Sequence, residues 1–267
     1  MNVSFEKNTF AKRLKSMLAV DLRRLFTSSL FYIIIGVSLV IPILVIVMTS
    51  MMDGTVSVNP QTGVETVIEG FKNVWQIIGA ISSEGMVMGM DITSMCNINM
   101  MFFLIAVFVC IFVSDDFRSG YAKNLFTVRA KKTDYVISKT VVGFIVGACM
   151  LLAFFVGAML GGAFVGLPFA LEGVTVGNII MSMLSKIFLV PIFVAIFLLA
   201  SVIAKQKLWL SLILSFGIGM LFFTMVPMIT PLDSSVVNVA LCLVGGVGLS
   251  VGIGVGSYFI LKNSSLI

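Results

Sequence analysis

The sequence predicts an all-α polytopic membrane protein with six transmembrane helices, and three observations lead to this fold class. Of the 267 residues, 59% are hydrophobic and only 11% are charged, whereas an average soluble domain carries about 25% charged residues. Six stretches stay apolar over about the 20 residues that a helix needs to cross a bilayer. The basic residues are concentrated in alternate loops. This combination excludes a soluble globular domain, a disordered chain and a disulfide-stapled secreted module.

The first element, residues 1–29, is predicted to be an amphipathic helix in the membrane interface. Apolar side chains share one helical face and basic ones share another, which is typical of a helix that rests on anionic lipid headgroups. The apolar set is Leu14, Met17, Leu18, Leu22, Leu25 and Phe26, and the basic set is Lys12, Arg13, Lys15, Arg23 and Arg24. Membrane anchoring alone explains this pattern. An elbow helix that also contacts a cytoplasmic partner is compatible with it.

Residues 30–267 are predicted to form one transmembrane domain of six spans. The spans are about Leu30–Met51, Ile98–Val113, Val136–Phe164, Val176–Ala204, Leu208–Met228 and Val236–Leu261. The second span is short as written and is expected to begin nearer Ile92. Two long connections join the spans, an outer loop at 53–93 and a cytoplasmic loop at 114–139.

The distribution of charge sets the orientation of the spans. All but Lys72 and Lys186 of the 17 lysines and arginines lie in the N-terminal segment, the second loop, the fourth loop or the C-terminal segment. Most of the acidic residues lie in the other loops. The positive-inside rule therefore places both termini in the cytoplasm, and the even number of spans agrees with it.

The outer loop is predicted to contain a weakly amphipathic helix at Val67–Ile81. Its apolar residues recur at helical spacing, so the helix is expected to lie on the outer leaflet with Trp75 at headgroup level. A methionine-rich stretch follows, with Met86, Met88 and Met90 at alternate positions. Thioethers at this spacing can bind copper. We prefer adaptable apolar packing, because histidine and paired cysteines are missing nearby.

The sequence offers little for active-site chemistry. Histidine is absent and the four cysteines are far apart in the sequence, so no catalytic or metal site and no cofactor of this chain is expected. No lysine follows a glycine, which excludes a phosphate-binding loop and nucleotide hydrolysis by this chain. We therefore do not expect an enzyme, and we expect no nucleic-acid partner.

Lys186 is the only charged residue in the interior of the predicted spans, since Lys139, at the start of the third span, belongs to the cytoplasmic loop. If its span begins at Val176, the ammonium lies near mid-membrane, where charged residues usually serve function. If the span begins at Ile187, the ammonium can snorkel to the outer face. We favour snorkelling, because no buried acid would pair with the charge. The lack of carboxylates within the spans also disfavours a secondary transporter.

Glycines recur at four-residue spacing in two spans, which lets helix backbones approach closely. The last span contains Gly248, Gly252 and Gly256, and the third contains the pairs Gly143 with Gly147 and Gly157 with Gly161. We favour packing within one subunit over a dimer interface for any given pair.

The cytoplasmic loop Ser114–Lys139 alternates basic and acidic residues with aromatic and aliphatic ones. It is long enough for a short helix after Asp115 and Asp116, whose carboxylates suit a helix N-terminus. A solvated loop would explain the charges but not the aromatics. We favour a docking surface, because aromatic residues and arginine are common interface anchors.

This layout resembles the ATP-binding-cassette type-2 permease family, and most of all its small bacterial permeases of peptide-antibiotic export or immunity. The local resemblance is the segment DDFRSGYAKNLFTVRAKKTDYVISK, in which the family's acidic residue, glycine, lysine, apolar pair, basic residue and lysine occur in order. They are Asp116, Gly120, Lys123, Leu125–Phe126, Arg129 and Lys139. The family's usual glutamate is aspartate here, and Val128 replaces its frequent proline.

The resemblance implies the permease subunit of an ATP-driven transporter in a bacterial plasma membrane. We expect it to export a peptide, drug-like or lipid-like amphipathic substrate, although the resemblance itself does not include a substrate class. It implies two partners, a separate ABC ATPase that carries ATP and Mg²⁺ and a second permease, either another copy of this chain or a similar permease. It also implies a coupling helix in the cytoplasmic loop, with the candidate residues Asp116, Phe117, Arg118, Gly120, Tyr121, Lys123, Phe126 and Arg129. A membrane scaffold or sensor that does not transport is the alternative.

Overall fold

The computed structural model describes residues 10–58, 65–67, 70–81, 97–128, 131–171, 173–223 and 225–263, and these contain nine α-helices. The helices are α1 Phe10–Thr27, α2 Ser29–Met52, α3 Met101–Arg118, α4 Tyr121–Val128, α5 Lys132–Val165, α6 Val176–Ala204, α7 Leu208–Phe223, α8 Val226–Ile229 and α9 Val236–Asn263. Two short 3₁₀-helices lie at Val74–Ile77 and Ile98–Met100. A small antiparallel hairpin pairs β1 Val56–Val58 with β2 Glu65–Val67.

The apolar runs form the helices that the sequence predicts. Five helices, α2, α5, α6, α9 and α3 with its preceding 3₁₀ turn, are long and apolar enough to cross a membrane. The sixth, α7, has 16 residues, which corresponds to about 24 Å of helix. The all-α polytopic fold class is confirmed.

The predicted fifth span Leu208–Met228 is not one helix. It ends at Phe223, and the separate short helix α8 follows with Pro227 in its first turn. Proline is well tolerated in the first turn of a helix but breaks the ladder of a helix interior, which explains the division.

Two helices form the centre of the bundle. α6 is the most buried span and α5 crosses beside it, while α2 packs along α5 and α9 packs along α6. α3 contacts α5, α6 and α7. The outer faces of α2 and α9 remain largely exposed.

Glycines at α5 confirm the expected close helix packing. A Cβ added at Gly143 would lie 2.5 Å from Val194 of α6, and one at Gly161 would lie 3.0 Å from the Ile43 backbone of α2. Three glycines of the last span differ, since nothing in the described part of the chain lies within 4 Å of a Cβ added at Gly248, Gly252 or Gly256. The choice between packing within one subunit and a dimer interface stays a prediction for this stripe.

The outer segment does not lie on the membrane surface as expected. In place of a helix over Val67–Ile81, one 3₁₀ turn occurs at Val74–Ile77. Trp75 is buried, its indole Nε1 donates to the carbonyl of Phe169 at 2.7 Å, and its ring stacks on Phe155. The tryptophan thus pins the outer segment to the end of α5. Met86, Met88 and Met90 and the expected start near Ile92 lie outside the described residues.

The second-to-third connection is mostly helical. α3 continues to Arg118, so Asp115 and Asp116 belong to its last turn and not to the start of a short helix. The short helix, α4, begins three residues beyond α3. Gly120 adopts φ +75° between the two helices, a conformation that favours glycine and lets the chain turn sharply.

Candidate functional site

A buried cluster of charged and polar side chains joins α1, α3 and α5 at the basic end of the bundle. We call it the ionic cluster. Its members are Asp21 and Arg24 of α1, Asp116 of α3, and Tyr135, Ser138 and Lys139 of α5. All except Arg24 are buried.

The geometry of the ionic cluster centres on Asp116 and Lys139. The Lys139 ammonium lies 2.7 Å from Asp116 and 2.8 Å from Asp21. The Arg24 guanidinium lies 2.7 Å from the other oxygen of Asp116. Two carboxylates therefore face two cations, and their formal charges cancel.

The remaining acceptor positions are filled by hydroxyl groups. Ser138 Oγ donates to Asp21 at 2.7 Å, and the Tyr135 hydroxyl donates to Asp116 at 3.0 Å. Each oxygen of both carboxylates thus has a partner. This matters because a buried charge is costly unless it is paired and hydrogen-bonded.

Aromatic rings cover the two cations of the ionic cluster. The Arg24 guanidinium lies 4.5 Å from the centre of the Tyr121 ring, and the Lys139 ammonium lies 4.3 Å from that of Phe112. Such cation–π contacts add electrostatic attraction. Burial opposes the charge of Arg24, but Asp116 and Asp21 outweigh it, so the pKa of Arg24 is raised. Burial and then Asp21 raise the pKa of the Tyr121 phenol against the effect of Arg24.

A second ion pair fastens α1 to α5 further along the helix. Arg13 Nε donates to Asp134 at 3.0 Å, and the Asp134 side chain is buried. Together with the buried apolar residues Met17 and Leu25, the polar contacts hold α1 firmly against the bundle.

Comparison with known proteins assigns the family. A family model described as ABC-2 family transporter protein matches residues 20–225, which run from α1 through α7. The chain belongs to the ABC-2 transporter family. No curated protein and no solved structure matches the chain. Its apolar helices are therefore those of a multi-pass membrane component of a transporter.

The structure of this ABC-2 family chain divides the predicted coupling residues into three groups. Arg118 and Lys123 are exposed, whereas Gly120, Tyr121 and Phe126 are partly buried. Asp116 and Phe117 are buried. Arg129 lies outside the described residues.

Two of these residues do not present their side chains to a partner. The carboxylate of Asp116 is enclosed by the ionic cluster. Phe117 is 8% exposed and its ring meets the Tyr135 ring edge-on at 6.4 Å between centroids. Phe117 was a candidate coupling residue, and its ring packs against Tyr135 of α5.

Sequence reasoning missed Asp21 and misread Arg13 and Arg24. Asp21 lies one helical turn from both Met17 and Leu25, so it belongs to the apolar face of α1. An acidic residue on this face was the sequence feature that could have revealed a buried partner. Arg13 and Arg24 were assigned to lipid headgroups, yet both pair with buried acids of the bundle. Lys15 and Arg23 remain exposed and fit the headgroup assignment.

Lys186 forms a separate buried site on α6, and the preference for snorkelling is wrong. Its side chain is fully buried, and its ammonium donates to the Thr230 carbonyl at 2.8 Å and to the Thr230 hydroxyl at 2.6 Å. Ser182 also donates to this carbonyl, at 3.3 Å. The contacts tie α6 to the turn after α8. Leu232 of the same turn donates its backbone N–H to Ala80, so the outer segment is joined as well.

Thr230→Val is expected to destabilise this junction. The ammonium of Lys186 loses one acceptor while it stays buried, which costs about 1–3 kcal/mol. Thermal unfolding of the purified chain in detergent measures the loss. Thr27→Val, which removes an exposed hydroxyl of α1, is the control and should leave the midpoint unchanged. Equal midpoints for the Thr230 variant and the wild type would show that the hydroxyl contact adds nothing.

Proposed function

We propose that this chain is the permease subunit of an ATP-driven exporter in a bacterial plasma membrane, and that a separate ABC ATPase binds ATP and Mg²⁺. The observation that supports this proposal is the position of α4. This short helix carries the exposed Lys123 and follows the exposed Arg118 at the end of α3. It lies against the ionic cluster, which joins the elbow helix α1 to α3 and α5.

The coupling step follows from the contacts beneath α4. The Phe126 ring meets the Tyr135 ring at 5.4 Å between centroids, and Tyr121 lies under Arg24. Tyr135 in turn donates to Asp116. A push on α4 by the ATPase would therefore reach the ends of α1, α3 and α5 together. Packed interfaces respond to such a push by switching between discrete arrangements.

The recognition step is assigned to the exposed surface of α4 and of the end of α3. Arg118 of α3 is exposed, as are Lys123, Asn124 and Thr127 of α4. Cations at the rim of an interface guide an acidic partner into register, while their contribution to affinity is modest. The ATPase surface that binds here should therefore be acidic.

A second permease copy completes the proposed transporter. Within the part of the chain that the structure describes, the stripe of Gly248, Gly252 and Gly256 on α9 has no neighbour within 4 Å of an added Cβ. Stripes of this kind let helices of two chains approach closely in a membrane. The substrate route would then lie between the copies. We assign an amphipathic peptide, drug-like or lipid-like substrate, because the long helices are apolar along most of their length.

Reversing two exposed charges, Arg118 at the end of α3 and Lys123 of α4, tests this proposal. In Arg118→Glu with Lys123→Glu, repulsion should replace attraction to the acidic partner, so we expect about a tenfold loss in affinity for the ATPase. Co-purification of the ATPase at several salt concentrations and ATP hydrolysis of the reconstituted complex measure the effect. The variant should still insert and unfold at the wild-type temperature, since both residues are exposed.

The matched control reverses the same number of charges on the exposed face of α1. Lys15→Glu with Arg23→Glu should keep the ATPase bound. Equal losses in both variants would assign the effect to net charge and contradict a docking role for α4. A loss in the α1 variant alone would move the coupling site to the elbow helix. If no ATPase co-purifies with the wild-type chain, the scaffold alternative is favoured.

A further inference from the structure

A narrow apolar cleft lies between the first turns of α5 and the last turns of α9. Its volume is about 290 Å³. Val136, Ile137 and Val141 line it from α5, and Val251, Gly254 and Val255 line it from α9. Ile137, Val251 and Val255 are exposed, so the cleft opens toward the surroundings of the bundle. In a membrane these surroundings are lipid.

The length of the cleft matches one lipid chain. On α5 the lining runs from Thr133 to Val141, which is about 12 Å along the helix axis. One leaflet of a hydrocarbon core of roughly 30 Å has about this thickness. An acyl chain of one leaflet can therefore lie along the whole cleft.

The mouth of the cleft is basic. Lys131 precedes α5 and Lys262 lies in the last turn of α9, and both are exposed. Lys132 joins the two helix ends, because its ammonium donates to the carbonyl of Leu261 at 2.5 Å. The carboxylate of Asp134 in the same turn is buried against Arg13. Tyr258 lines the cleft near this end, where aromatic residues commonly meet lipid headgroups.

We propose that this cleft binds one anionic phospholipid of the membrane, with an acyl chain between α5 and α9 and its headgroup at Lys131 and Lys262. The apolar walls exclude water from the chain, and the two lysines select the negative headgroup. The bound lipid fills the gap between α5 and α9 at their basic ends. There the two helices approach each other at Gly254 and Val136, and Lys132 joins their ends through the carbonyl of Leu261.

Lipid retention by the purified chain tests the proposal. Native mass spectrometry in a mild detergent counts the lipids bound after equal amounts of phosphatidylglycerol and phosphatidylcholine are added. The wild type should retain one phosphatidylglycerol with at least a tenfold preference. Gly254→Leu places a side chain in the cleft, and its Cβ would lie 3.5 Å from Val136, an ordinary contact. We expect this variant to lose at least tenfold in occupancy.

Two controls define the outcome. Gly217→Leu adds the same side chain to α7 at a position with nothing within 4 Å, and it should retain the lipid. Lys131→Gln with Lys262→Gln should bind both phospholipids equally. Full retention by the Gly254 variant, or equal binding of both lipids by the wild type, overturns the proposal.

Photocrosslinking provides a test that needs no variant. Phosphatidylglycerol with a photoactivatable acyl chain should label wild-type peptides that contain residues 133–141 and 250–258. Labels spread evenly over all the lipid-facing helices would contradict a specific site. A crosslink between two copies of the chain through these residues would assign the cleft to a protein partner instead.

Discussion

Replacing Asp116 by asparagine is expected to lower the free energy of unfolding by about 3–5 kcal/mol, the usual cost of breaking a buried ion pair. The variant keeps the shape of the side chain but removes the charge on which Arg24 and Lys139 converge. Lys139 is the more affected partner, because it is 3% exposed, whereas the partly exposed Arg24 can turn toward water. The elbow helix should therefore loosen from the bundle.

Asp115→Asn is the matched control for this variant. The Asp115 carboxylate, next to Asp116 in the sequence, is exposed. The same chemical change there should alter the free energy of unfolding by no more than about 0.5 kcal/mol. Thermal unfolding in detergent measures stability, and the rate of proteolysis within α1 measures the release of the elbow helix. If the two variants behave alike, the ionic cluster contributes nothing to the attachment of α1.

Alanine at Gly157 or Gly246 should be the next most damaging change. The added Cβ at Gly157 would overlap the backbone oxygen of Leu39 on α2, and that at Gly246 would overlap the backbone oxygen of Phe188 on α6. A backbone oxygen within a helix cannot move away as the end of a flexible side chain can. The helices must separate, so we expect a loss of about 1–3 kcal/mol or more for each variant.

Gly217→Ala provides the control for both glycine variants. The change occurs on α7, where nothing among the described residues lies within 4 Å of the added atom. Alanine is also the better helix former by about 1 kcal/mol in an exposed helix interior. The midpoint of thermal unfolding should therefore stay or rise for Gly217→Ala and fall for the other two. A similar fall in all three would assign the loss to helix flexibility and contradict the packing explanation.

The sequence predicted the elements whose signals are local. The apolar runs predicted the ends of α2, α6 and α9 to within two residues. This was possible because the tendency of a segment to cross a membrane depends on its own composition. The division of the predicted fifth span at proline was missed, because the length of an apolar run does not distinguish one helix from two. The burial of Trp75 also depends on distant backbone, since its indole bonds to Phe169.

The candidate site was harder to predict, because its contacts depend on how helices align. Asp116 was singled out from the resemblance, but its partners Arg24 and Lys139 were read as charges that orient the spans. A charge at the end of a span looks the same in sequence whether it meets lipid, water or a carboxylate. The same ambiguity led us to place Lys186 at the outer face, since a threonine carbonyl leaves no pattern that reveals its partner.

The ionic cluster can form only late in the synthesis of the chain, because its residues are far apart in the sequence. Asp21 leaves the ribosome long before Lys139, which lies 118 residues further along. At typical rates of synthesis this interval lasts roughly 6–24 s. During that time α1 has no bundle to join, and its buried face is still uncovered. The exposed cations Lys15 and Arg23 can hold the young helix on the lipid surface until the later spans arrive.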